Sequence, residues 1–151
     1  MKPTVEIRNT TRRDIPIRRL RDFASNVLQI LKITGELSVS FVGASLISRL
    51  NRQYLGRTGD TDVLAFPQDN INSPTPPPPH PPTLLGDVVI CIPRAFADAK
   101  KEGASPTRHL ETLVLHGILH LAGHDHETDT DHKKMLEEEK RIWKALTAKK
   151  S

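Results

Sequence analysis

The alternation of apolar and polar residues predicts where the chain forms strands and helices. Residues 4–9 and 37–42 alternate with the period of two that is typical of a half-buried strand. Residues 61–66 and 84–92 are predicted to form two further strands. Apolar positions at helical spacing predict helices over residues 17–31, about 45–54, 93–101, 106–122 and about 130–146. The sequence therefore predicts an α+β fold, with a small mixed sheet of about four strands packed with about five helices.

Several helix boundaries have their own signals. We expect Ser45 to cap the second helix, Pro93 to begin the third and a glycine at position 103 to end it. In the last helix, the Lys and Glu residues are interpreted as a solvated face. The residues predicted to be buried there are Met135, Leu136, Ile142, Trp143 and Leu146.

A proline-rich segment interrupts the regular pattern between the third and fourth strands. Residues 68–82 contain seven prolines, which exclude a central strand or a helix interior. We interpret the segment as an extended loop that acts as a spacer, and docking of a proline-recognising domain as the alternative. Because 151 residues suit one domain, we expect residues 1–151 to form one domain with this loop as an insertion.

Composition narrows the class of protein. Lys and Arg total 22 and Asp and Glu total 18, and the formal charge of +4 tolerates a polyanionic partner. The single cysteine, Cys91, excludes an internal disulfide framework and is expected to be a buried, inert thiol. No apolar run approaches the roughly 18 residues of a membrane span, and the first residues lack the apolar segment of a signal peptide. We therefore expect a cytoplasmic protein with no membrane partner.

Three histidines carry the strongest chemical signal in the chain. Residues 116–126 follow the pattern H-x3-H-x2-G-x2-H. His116 and His120 are one helical turn apart, so their Cβ atoms are expected roughly 5–6 Å from each other on a largely apolar helix. A buried imidazole pair needs partners, and one cation can bind both rings in the neutral form. Nitrogen ligands suit zinc, nickel, copper or iron.

The residues after the helix decide the third ligand. Gly123 can adopt a left-handed conformation, end the helix and let the chain bring back His126. His124 is the rival ligand, because a continued helix would keep it on the face of the other two histidines. The glycine break favours His126. Asp125 is either an orienting residue or proton acceptor beside the metal, or a simple turn former.

The residue at position 117 separates this motif from that of zinc peptidases. Three histidines leave one zinc position open for water, and zinc lowers the pKa of water into the neutral range. Peptidases with similar spacing carry a glutamate as general base directly after the first histidine. Here that residue is Gly117, which cannot move a proton. Phosphodiester cleavage needs less proton transfer to the leaving group, so RNA is a better candidate substrate than a peptide.

The motif and three further blocks resemble the YbeY family of endoribonucleases. The similarity covers residues 50–54 (LNRQY), 61–67 (TDVLAFP), 85–90 (LGDVVI) and 116–126 (HGILHLAGHDH). These blocks follow one another along the chain in the same order as in the family. It implies a zinc-dependent endoribonuclease that prefers single strands and acts in 16S rRNA 3′-end maturation and ribosome quality control. It also implies one zinc ion per chain, held by His116, His120 and His126. The implied partners are precursor 16S rRNA and the small ribosomal subunit with its proteins, and no DNA is expected.

One position departs from the family pattern. The family usually has an arginine after the tyrosine of the N-x-x-Y block, and this chain has Leu55. Arg57 or Arg52 is therefore the candidate for contact with the RNA backbone. The resemblance also implies that Asp62 and Asp87 line the substrate cleft, whereas strand capping or hairpin hydrogen bonding is the structural alternative. Two other functions stay open, a zinc hydrolase of a non-RNA substrate and a ribosome-associated binding module with a structural metal.

Overall fold

The secondary structure agrees closely with the pattern in the sequence. The computed structural model describes residues 2–59, 61–67, 84–123 and 128–149. Its strands are β1 (Thr4–Asn9), β2 (Glu36–Val42), β3 (Val63–Pro67) and β4 (Leu84–Cys91). Its helices are α1 (Ile17–Ile30), α2 (Ala44–Leu55), α3 (Ile92–Glu102), α4 (Pro106–Leu121) and α5 (Asp129–Lys149). The predicted α+β fold, with four strands and five helices in the described residues, is confirmed.

The sheet is mixed and has the strand order β1-β2-β4-β3. β1 pairs with β2 and β2 pairs with β4 in parallel, and α1 lies between β1 and β2 along the chain. β3 pairs antiparallel with β4, with Val63 opposite Ile90 and Pro67 opposite Gly86. β3 is therefore an edge strand, and the proline at its end is tolerated there.

Alternate residues of the central strand β4 face two different apolar clusters. Val88 and Ile90 join the larger cluster, which includes buried residues of α1, α4 and α5. Val89 and Cys91 join a smaller cluster with Ile47 of α2. The larger cluster thus lies on one face of the sheet, and α2 covers the opposite face.

Helix α4 is the central helix of the larger layer. It begins with Pro106 in the first turn, and the Ser105 side chain caps it by accepting a hydrogen bond of 3.0 Å from the Arg108 backbone N–H. Its buried apolar residues are Leu110, Leu113, Val114, Leu115, Ile118 and Leu119. The largely apolar helix expected to carry the histidines is therefore also largely buried.

Three local predictions were wrong. Ser45 does not cap α2, because the helix begins one residue earlier and the capping position is Gly43. Ile92 belongs to α3 rather than to the preceding strand, and Cys91 occupies the position before that helix. Leu136 is 42 % exposed, whereas Met135, Ile142 and Leu146 of the same predicted set are buried. The predicted loop at 68–82 lies outside the described residues.

Candidate metal centre and cleft

One ring nitrogen of His116 and one of His120 lie next to each other on the surface of α4. Their Nε2 atoms are 3.3 Å apart, and the ring centroids are 4.9 Å apart at an interplanar angle of 63°. Nitrogen ligands of a tetrahedral zinc ion lie about 3.3 Å from each other, given Zn–N bonds of roughly 2.0–2.1 Å. Both side chains are partly exposed, so the position is accessible from solvent. The pair has the chemistry and the spacing of two ligands of one zinc ion.

The packing of α4 on the sheet determines which of its faces carries the histidines. A Cβ atom at Gly117 would lie 2.5 Å from Cγ1 and 2.9 Å from Cγ2 of Val88. Gly117 therefore lets the helix approach β4 more closely than a residue with a side chain would. With residue 117 against the sheet, His116 and His120 lie on an adjacent side of the helix, roughly 60–100° around its axis. The structure also explains why position 117 carries no glutamate, since the site is filled by β4.

A carboxylate on α5 that was not predicted from the sequence contacts the first histidine. Glu139 Oε1 is 3.2 Å from Nδ1 of His116, and the two side chains are 18 % and 30 % exposed. The nitrogen that faces Glu139 is the one that does not face His120. The sequence pattern alone predicts Glu139 as one of the solvated residues of α5. The signal that could have found it is its position between Met135 and Ile142 on the buried stripe of that helix.

The end of α4 agrees with the glycine break expected at position 123. The helix ends at Leu121, and Gly123 adopts a positive φ of 101°. Its backbone N–H donates a hydrogen bond of 3.1 Å to the His120 carbonyl. The candidate third ligand His126, its rival His124 and the candidate Asp125 lie outside the described residues, so the choice between them stays a prediction.

The two histidines open into a cleft of about 390 Å³. The end of α2, the following loop and β3 form its other walls. The described residues that line it, besides the histidines, are Asn51, Leu55, Arg57, Thr58, Thr61, Asp62, Val63, Leu64 and Ala65. Residues from the blocks at 50–54 and 61–67 thus meet the histidine helix in space, as their co-occurrence in one sequence pattern suggests.

Of the two arginine candidates, one lines the cleft and the other does not. Arg57 is exposed and lines the cleft, whereas Arg52 is exposed and is not among the described lining residues. Leu55 also lines the cleft and is 46 % exposed. An apolar side chain therefore stands in the wall where the family pattern has a cation, and Arg57 is the cationic residue of the described lining.

The remaining candidates occupy structural positions or the cleft wall. Asp62 lines the cleft, and its backbone carbonyl accepts a hydrogen bond of 2.9 Å from the Cys91 N–H. Asp87 is paired on both sides within the sheet and is not among the described lining residues. Cys91 is a free cysteine and is fully buried, as predicted.

Among the helices of the described residues, none has the length and apolarity needed to cross a membrane.

Comparisons with known proteins agree on one family. A family model described as Endoribonuclease YbeY matches residues 5–147. The Endoribonuclease YbeY of Halalkalibacterium halodurans is 38 % identical over 130 residues, which are 84 % of this chain and 82 % of that protein. The Endoribonuclease YbeY of a Parafrankia species is 41 % identical over 130 residues, 83 % of this chain and 77 % of that protein.

A solved structure shares the fold. The solution structure of TM1509 from Thermotoga maritima matches with a TM-score of 0.63 and covers 97 % of this chain and 93 % of its own. The two sequences are 24 % identical. This likeness supports the architecture described above and carries no argument about activity.

Proposed function

Since this chain belongs to the YbeY family and is an endoribonuclease, we propose that its cleavage of RNA depends on zinc. We propose further that it prefers single strands and acts in 16S rRNA 3′-end maturation and ribosome quality control. Its proposed partners are precursor 16S rRNA and the small ribosomal subunit with its proteins. The proposed location is the cytoplasm, which the single cysteine supports.

The observation that carries this proposal is the histidine pair at the wall of the cleft. Two Nε2 atoms 3.3 Å apart suit one zinc ion, and we assign His116 and His120 as two of its ligands. The third proposed ligand is His126, with one ion per chain. Zinc, when bound, supplies a Lewis acid for phosphoryl oxygens and lowers the pKa of water.

The other residues of the cleft are suited to binding an RNA strand rather than a peptide. Arg57 projects from the cleft wall and can contact a backbone phosphate with its planar, permanently charged guanidinium group. Thr58 and Thr61 add hydroxyl groups at the same wall. Position 117 has no room for the glutamate that a zinc peptidase of similar spacing uses as general base. Cleavage of a phosphodiester, with little protonation of the leaving group, fits the residues present better.

Metal analysis coupled to RNA cleavage tests the proposal. The purified protein is expected to contain one zinc ion per chain and to shorten a 3′-extended 16S rRNA fragment. A chelator should abolish the cleavage, and the same protein should leave a matched peptide substrate intact. Chelator-resistant RNA cleavage would contradict the zinc dependence, and peptide hydrolysis would favour a different zinc hydrolase. Ribosome binding without cleavage would instead indicate a binding module with a structural metal.

A further inference from the structure

We propose that Glu139 is a positioning residue for the metal site, which holds His116 in the orientation and tautomer that a metal ligand needs. The inference rests on the proposed zinc site and adds to it a residue from a different helix. Its starting point is the 3.2 Å contact between Glu139 Oε1 and His116 Nδ1. Nothing in the histidine motif itself indicates this contact, because the two residues are 23 positions apart.

The contact determines which ring nitrogen of His116 is free for a metal. A neutral imidazole carries one proton, and the hydrogen bond of one nitrogen decides where that proton lies. A carboxylate accepts hydrogen bonds, so Glu139 favours the tautomer with the proton on Nδ1. The lone pair then lies on Nε2, the atom that faces His120 across 3.3 Å. Carboxylates that accept from the second nitrogen of a metal-binding histidine also raise its basicity.

The position of Glu139 on α5 is unusual for a charged residue and needs an explanation. It follows Met135 by four residues and precedes Ile142 by three, so it lies on the buried stripe of the helix. Its side chain is 18 % exposed, and a carboxylate in such a place is costly without a partner. His116 is the partner that the described contacts provide.

The neighbouring glutamates behave differently and supply a control. Glu138 pairs with Arg141 on the surface of α5, and the hydrogen bond from this pair raises the pKa of Arg141. Glu137 is exposed. The three consecutive glutamates therefore have three different environments. Of these, Glu139 contacts a histidine of α4.

The core fixes the distance between Glu139 and α4. Trp143, one turn after Glu139, packs against Phe23 of α1 with ring centroids 5.2 Å apart. The Arg108 guanidinium of α4 lies over the Trp143 ring, 3.5 Å from the ring centroid. α5 is therefore held against both α1 and α4 independently of the metal. The carboxylate is preorganised, and its removal should weaken metal binding without loosening the helix.

Zinc affinity in three variants of the full chain tests the inference. Glu139→Ala should bind zinc about 10–100-fold more weakly than wild type in competition with a chromophoric chelator, the usual cost of losing such a partner. Glu139→Gln should lie between the two, because its amide oxygen still accepts a hydrogen bond but a neutral one. Glu137→Ala, the matched control, should bind like wild type. Chemical denaturation of the metal-free proteins should show similar free energies of unfolding for all four.

A spectroscopic readout separates orientation from general stability. In the metal-free wild type, long-range 1H–15N spectra should show His116 protonated on Nδ1, and Glu139→Ala should shift the proton toward Nε2. Zinc affinity in Glu139→Ala equal to that in Glu137→Ala would overturn the inference while the metal site stands. Equal loss of stability in the metal-free and zinc-bound forms would overturn it in favour of a structural role. Wild type that binds no zinc would overturn the proposed metal site and this inference together.

Discussion

Helix α4 has two faces that obey different constraints. On the sheet side, Gly117 lies so close to Val88 that a single added carbon would be 2.5 Å from a methyl group. On the cleft side, His116 and His120 are partly exposed and meet each other and a carboxylate through polar atoms. Steric packing against the sheet constrains the residue on the first face, and the positions of the imidazole nitrogens matter on the second.

The comparison shows how the fold holds a chemical site in place. Close packing on β4 fixes the rotation of the helix, and this rotation presents the two histidines to the cleft. The side chains that do the proposed chemistry add little to the core. Substitutions on the two faces should therefore separate stability from activity, and the first two predictions below each change one of these faces.

The largest expected effect is on the cleft side. His116→Ala should reduce zinc affinity and RNA cleavage by more than the roughly 100-fold that loss of an outer partner costs. Its metal-free form should stay folded and lose about 1 kcal/mol of unfolding free energy, because Glu139 loses its partner but remains within reach of water. His132→Ala, which removes an exposed histidine of α5, is the control and should retain cleavage. A folded His116→Ala protein with full cleavage would show that the pair is not catalytic.

The sheet side should respond in the opposite way. Gly117→Ala is expected to lower the free energy of unfolding by about 1–3 kcal/mol through overpacking. The cost should shrink in a Val88→Ala background, because that change removes both methyl groups that the new Cβ meets. Urea denaturation of the single and double variants measures this coupling. A neutral or stabilising Gly117→Ala, as helix propensity alone would give, would contradict the close approach.

A smaller effect tests whether cleft residues other than the histidines bind RNA. Arg57→Ala should weaken binding of single-stranded RNA and lower the slope of log affinity against log salt by about 0.7, the value for one lost phosphate contact. Arg52→Ala, an exposed arginine of the same segment outside the described lining, is the control and should leave the slope unchanged. Equal slopes for both variants would remove Arg57 from the RNA-binding surface.

The elements of the fold were predictable because each has a clear period. The bounds of α1, β2 and α4 agree with the pattern within one residue at each end. The strand order β1-β2-β4-β3 is not readable from the sequence, because pairing depends on how helices cross the sheet. The prediction that Ser45 caps α2 was wrong because the helix begins at Ala44. Ser45 therefore lies inside the helix, where the backbone is already helical.

The site was predictable to the extent that it lies on one helix. The spacing of His116 and His120 fixes their proximity, so one turn of sequence was sufficient. Glu139 comes from another helix, and its contact depends on how α5 packs against α4. A charged residue at an apolar stripe position was the available signal, and the abundance of Lys and Glu in α5 obscured it. Contacts between elements that are distant in sequence need the tertiary structure.

Zinc titration of the chelator-stripped protein tests the central claim most directly. The readout is the rate of cleavage of a single-stranded, 3′-extended 16S rRNA fragment at each ratio of zinc to protein. We predict no cleavage without metal, a rise in proportion to added zinc and saturation at one ion per chain. The His116→Ala protein should show no such rise. Cleavage at full rate in the stripped protein, or a rise that is the same in His116→Ala, would contradict the assignment of the histidine pair as the metal centre.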